Sequence, residues 1–178
     1  MQRHFLLAAT ALALAACSPP TSEAPQPPDG GDQPPGVVAC NDVTPDMSRL
    51  VSVQAPLAAA AADVGLRGGP IAPGTYDLIS ATRIGNATGW DDPRAAALDV
   101  REDANGAVTF DWASVARENP ADRWTASFTD TPSARLTYTC GRVGAVDAEF
   151  DVSESGQLRL RLPDGGAGSL DLVLQLRG

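Results

Sequence analysis

From Gly74 to Gly178 the apolar residues recur at every second position, in about eight short runs closed by turn residues. A period of two sends one set of side chains to a buried sheet face and the other to water. The last run is the clearest: Leu170, Leu172, Leu174 and Leu176 alternate with Asp171, Val173, Gln175 and Arg177. The pattern predicts strands with these inward positions: Tyr76 and Leu78; Ala96, Leu98 and Val100; Val108, Phe110 and Trp112; Trp124, Ala126 and Phe128; Leu136, Tyr138 and Cys140; Val146, Ala148, Phe150 and Val152; Leu158, Leu160 and Leu162; and the four leucines just named. Asp77 and Arg83 are expected to point outward from the first run. Asn105-Gly106 is a strong hairpin signal, Asp130 to Ser133 and Ser153 to Gly156 are further tight turns, and Pro120 is expected in a loop.

Short links pair neighbouring runs as antiparallel hairpins. Few helices are available to cover a sheet, so the sheet must cover itself. The expected class is all-β: an antiparallel meander of about eight strands closed into a barrel, which removes exposed edges. A two-sheet sandwich satisfies the same pattern. Gly74-Thr75-Tyr76 on the first run, with Arg177 after the last, is similar to the lipocalin-like, or calycin, barrels, in which Gly-x-Trp on the first strand packs near an Arg on the last. Tyr76 stands where that group has Trp, and no Thr-Asp-Tyr motif is present. The resemblance implies a fold more than a shared ligand.

The chain before the runs divides into three. Residues 1–16 read as a signal peptide: Gln2-Arg3-His4, an apolar stretch from Phe5 to Ala13, and small residues before Cys17. Leu14-Ala15-Ala16-Cys17 resembles the lipobox of bacterial lipoproteins. That resemblance implies cleavage before Cys17, lipidation of its thiol and anchoring to a membrane. Ser18 rather than Asp at the next position implies the outer membrane of a two-membrane host. Residues 17–36 are a tether of Pro, Gly, Ser, Thr and acids with too little apolar surface to order itself. Residues 37–73 are expected to form a strap across the barrel with a turn or two of helix. Thr44-Pro45-Asp46 looks like a helix start, Leu50 to Gln54 reads equally as a short strand, Pro56 should end either, and Ala58 to Ala62 favours helix. Residues 74–178 are the barrel, and 37–178 form one globular unit.

With Cys17 assigned to lipid, Cys40 and Cys140 remain. Export places them in an oxidising compartment, so they are expected to form a disulfide. Closing a loop of this length stabilises by roughly 4–5 kcal/mol in the chain-entropy model.

Composition narrows the chemistry. The 178-residue chain carries 13 cations against 22 acids, a net charge of −9, and every cation is Arg. No basic stripe exists, so nucleic acid is not an expected partner. His4 is the sole histidine and leaves with the signal. The mature chain then lacks the usual bases for nucleophilic catalysis and the usual zinc ligands. Asp91-Asp92 beside Trp90 offers oxygens for a hard cation, but the spacing matches no known loop and an acidic turn explains it better. Nearly all the acids fall on outward positions or turns, so none is clearly placed in a cleft for glycoside hydrolysis. No catalytic residue, metal or cofactor is assigned, and the expected protein is not an enzyme.

Tyr76, Trp112, Trp124, Phe128, Tyr138 and Phe150 read as inward rings. An eight-stranded barrel can be filled by its side chains or can hold one small ligand, and the pattern leaves both open. Two functions follow. One is a lipid-anchored envelope protein binding a small apolar ligand among those rings. The other is an envelope domain that binds a protein, similar to the lysozyme-inhibitor type of small disulfide-tied barrel.

Overall fold

The computed structural model describes residues 39–57, 65–117, 119–131, 133–164 and 168–178. All belong to one unit, Val37–Gly178. The signal, Cys17, the tether and the Ala58 to Ala62 stretch lie outside the described residues.

The described residues form strands and turns with no helix. The strands are β1 (Gln54–Leu57), β2 (Gly74–Ile84), β3 (Arg94–Glu102), β4 (Val108–Ala116), β5 (Asn119–Thr129), β6 (Arg135–Cys140), β7 (Ala145–Asp147), β8 (Glu149–Val152), β9 (Gln157–Pro163) and β10 (Ser169–Leu176). They join in one sheet in the order β7-β6-β5-β4-β3-β2-β10-β9-β8, with β1 added to β2. The two ends of this path, β7 and β8, are separated only by Ala148. They are two halves of one expected run, which pairs with β6 through its first half and β9 through its second. The meander thereby comes round on itself as a nearly closed antiparallel barrel, and each apolar face meets the others inside.

Alternation explains most of the core. Trp112 lies opposite Leu98 and Trp124, and Leu172 lies opposite Leu160 and Ala81, all inside the barrel. Register shifts interrupt three antiparallel pairs, β2–β10, β4–β5 and β5–β6, and two of them reverse a residue named above. The β2–β10 register slips around Ile79, so Arg83 comes to lie opposite core residue Leu170. Arg83 therefore faces inward, contrary to the sequence expectation. The β5–β6 register slips around Thr139, which pairs Cys140 with Thr125 on the outer face. An extra residue in one strand inverts the facing of every residue beyond it. Cys140 is accordingly not an inner residue, and this outward placement lets it bond Cys40, with the two Cα atoms 5.6 Å apart. Pro120 lies within β5 rather than in a loop.

The segment 39–57 is a strap on the outer wall. The Asn41 amide donates to the carbonyls of Trp112 (3.2 Å) and Trp124 (3.0 Å). Arg123 donates to the carbonyls of Asn41 (3.2 Å) and Val43 (2.5 Å), and Arg177 to that of Thr44 (3.0 Å). Beneath the strap, the outward alanines Ala95, Ala97 and Ala113 are buried, because small side chains let a second backbone approach the sheet. The helix start expected at Thr44-Pro45-Asp46 is instead a turn. The Asp46 carboxylate accepts the Ser48 N–H at 3.0 Å, and the Asp46 carbonyl accepts the Arg49 N–H at 3.0 Å. A short polar side chain at this position competes with helix by bonding the backbone locally. Pro56 does not end the strand but lies within β1. Where β2 and β3 diverge, the strap fills the gap: Val51 pairs with Arg94 and β1 with the end of β2.

Candidate functional site

The links β2–β3, β4–β5, β6–β7 and β9–β10 gather at one end of the barrel. Residues 85–93 form the β2–β3 loop there. Arg83 Nη1 holds Asp91 Oδ1 at 2.8 Å, and the Gly89 N–H donates to Asp164 Oδ2 at 2.6 Å. A Cβ on residue 89 would stand 2.4 Å from Asp164 Oδ1, so a larger residue there would push this carboxylate aside. Between the two anchors, Trp90 adopts φ +64°, a conformation that β-carbons disfavour.

Trp90 closes this end of the barrel. Its ring stacks on Trp112 at 5.9 Å between centroids, Trp112 stacks on Trp124 at 5.7 Å, and Trp124 meets the edge of Tyr138 at 5.4 Å. The Arg94 guanidinium lies 4.6 Å over the Trp90 ring. Arg142, paired with Asp122 at 2.7 Å, sits 5.8 Å from both the Trp124 and Tyr138 rings. A second ring cluster joins Phe110, Phe128 and Phe150, with centroids 4.6 and 5.2 Å apart. Each stacked pair contributes about 0.5–1.5 kcal/mol beyond its buried area. A residue with a β-carbon in the left-handed region costs roughly 1–2 kcal/mol. Strain and stacking at Trp90 are therefore of similar size.

Five of the six rings singled out from sequence divide between these clusters. Trp112, Trp124 and Tyr138 join Trp90, and Phe128 and Phe150 join Phe110. Tyr76 stands apart, buried, with its hydroxyl donating to the Ala72 carbonyl at 2.7 Å; burial pushes its phenol above the ordinary value. Arg177 reaches Asp77 through two bonds, at 2.9 and 2.6 Å, and lies on the outer wall rather than against Tyr76.

Besides Asp122, which has the parity of Trp124, three polar side chains face inward around Trp90, and the alternation read from the sequence does not mark them. Arg94 has the parity of Ala96 and Leu98, Ser114 that of Trp112, and Arg83 reaches the interior through the bulge. The Arg83 Nε, Arg94 Nε and Ser114 Oγ are buried with no hydrogen-bond partner. Ser114 is 1% exposed, opposite Ala96 and Asp122. Burial lowers the proton affinity of Arg94, while Asp122, Asp92, Asp164 and Asp91 act against that shift. For Arg94 and Ser114 the signal was present in the sequence, as polar residues at inward positions near strand ends. For Arg83 it was not, because the bulge leaves no period-two trace.

Two polar grooves lie outside, between strap and wall. One, of about 600 Å³, is lined by Asp42, Thr75, Asp99, Arg101 and Asp111 among others. Arg101 pairs with Asp111, whose other oxygen accepts the Thr125 hydroxyl at 2.6 Å. The other, of about 730 Å³, is lined by residues including Asp46, Arg49 and Asp77. Among the described residues no group of three or more His, Cys, Asp or Glu side chains is placed to hold a metal ion.

The fold and this end of it define an antiparallel barrel braced by an external strap and closed by an aromatic ladder. No protein-family model, curated protein or solved structure matches the chain.

Proposed function

We propose that this chain is a lipid-anchored, non-enzymatic binding protein of the cell envelope, held through Cys17, whose barrel receives a small molecule at the Trp90 end. The observation that carries this reading is Trp90 itself: a bulky ring in a strained backbone conformation, stacked over the interior ladder. Strain of this kind persists where surrounding structure imposes it, and it concentrates at ligand clamps and switches. The rest of the interior is occupied by rings and leucines in contact, so the reading places the ligand at this end and not among Phe110, Phe128 and Phe150. The signal and lipobox resemblance support the anchor and the compartment.

Native mass spectrometry of the full chain, incubated with an envelope lipid and metabolite extract, tests it. The expected result is a stoichiometric mass above that of the lipidated chain, lost when Trp112 is replaced by Ala. A spectrum showing only the lipidated chain overturns the small-molecule reading. It would leave the protein-binding alternative, for which the polar groove at Asp99, Arg101 and Asp111 is the surface on offer.

A further inference from the structure

We propose that the Trp90 end of the barrel binds a small molecule carrying a planar ring and a carboxylate, with the Trp90 indole occupying the ring position until the ligand displaces it. This rests on the small-molecule reading above and gives that site its chemistry.

The ring position is defined by what touches Trp90. The Arg94 guanidinium lies 4.6 Å over the ring, and the Trp112 ring stacks on it with centroids 5.9 Å apart. A cation over a ring and a stacked aromatic accept any electron-rich planar ring, not indole alone. Trp90 is also the only residue other than glycine with positive φ among the described residues. Its indole is therefore held by two partners and resisted by its own backbone.

The carboxylate follows from the unpartnered donors. Buried polar groups almost always have a partner. Here the Arg83 Nε–H, Arg94 Nε–H and Ser114 hydroxyl lack one, and all three belong to the inner wall beneath the same loop. Two of the three are guanidinium N–H groups, whose strongest acceptor is a carboxylate. Three carboxylates of the rim have hydrogen-bond partners other than these donors. Asp91 is held by Arg83 Nη1, Asp122 by Arg142, and Asp164 accepts the Gly89 N–H. None of the ion pairs among the described residues includes Arg94. Leu170, paired with Arg83, and Leu162 beside it add apolar wall at this end that suits the edge of a ring.

The test uses the full chain in phospholipid nanodiscs, with indole-3-acetate and the neutral 3-methylindole as probes, titrated calorimetrically. Trp90→Gly removes the plug and suits the local backbone. Indole-3-acetate is expected to bind this variant roughly tenfold or more tightly than it binds the wild type, and roughly tenfold or more tightly than 3-methylindole binds the variant. Adding Arg94→Met or Ser114→Ala should abolish the preference for the acid. Equal affinity for the two probes overturns the carboxylate assignment while leaving a ring site at this end. No binding of either probe overturns both the chemistry and the small-molecule reading. Should Trp90→Gly fail to fold, the wild type decides: indole-3-acetate in excess must shift the Trp90 indole N–H resonance and 3-methylindole must shift it less. An unmoved resonance, or equal shifts, overturns the proposal.

Discussion

Trp90 shows how much a single residue can carry against its own local preference. Its φ of +64° belongs to the region where glycine is at ease, yet the ring is kept there by Arg94 and Trp112. Truncation separates the two effects. Trp90→Ala and Trp90→Gly lose the same ring, but only alanine keeps the β-carbon in the disfavoured region. Trp90→Gly is expected to be more stable than Trp90→Ala by about 1 kcal/mol. Urea unfolding of both variants checks this, and an alanine variant that matches or exceeds the glycine one would mean that the backbone relaxes and holds no strain. Cys140 and Arg83 make the complementary point. Each differs from its period-two expectation because one residue inserted a few positions away reversed its facing.

Among the elements, the strap is held by side chains that no local pattern announces. Asn41 bonds two carbonyls on adjacent strands, Arg123 and Arg177 reach three strap carbonyls between them, and the disulfide ties its start to the end of β6. Because Cys40 adjoins Asn41, the covalent link and the amide fix the same few residues. Replacing both cysteines by serine should cost roughly 2–5 kcal/mol. The loss would appear as a lower denaturant midpoint, and an unchanged midpoint would show that the hydrogen bonds position the strap unaided. The bend at Ala148 matters as much as the strap. It turns a single run into β7 and β8, so that one strand serves both β6 and β9. Neither bend nor bulge has a composition of its own; each is the solution that lets neighbouring strands keep their pairing while the sheet curves.

At the scale of the molecule, the interior is filled and the outer wall is charged. Ala126 is fully buried, opposite Phe110 on one side and Tyr138 on the other. Enlarging it tests the packing: Ala126→Leu should destabilise by roughly 1–3 kcal/mol, since a close-packed core has no place for added methylenes. A neutral or stabilising result in thermal unfolding would reveal a cavity there and extend the ligand site deeper than Trp90. Outside, Arg159 grips Asp171 through bonds of 2.8 and 2.5 Å, Arg161 joins Asp171 to Glu149, and Arg135 meets Asp147. These cross-strand pairs spread the acidic surplus over the wall.

The alternation of apolar and polar positions was enough to determine the strands, their order as a meander and most of the core, because side-chain facing in a strand is a local property with a fixed period. Cysteine parity was likewise enough for the disulfide, which the structure bears out. Only the tertiary structure decided that the sheet comes round as a barrel and not a sandwich, that the expected strap helix at Thr44 is a turn, and which side chains surround Trp90. Those outcomes depend on where bulges fall, where a strand bends and which distant backbone comes close. Such features are selected by the closure of the whole sheet, and no window of sequence contains it.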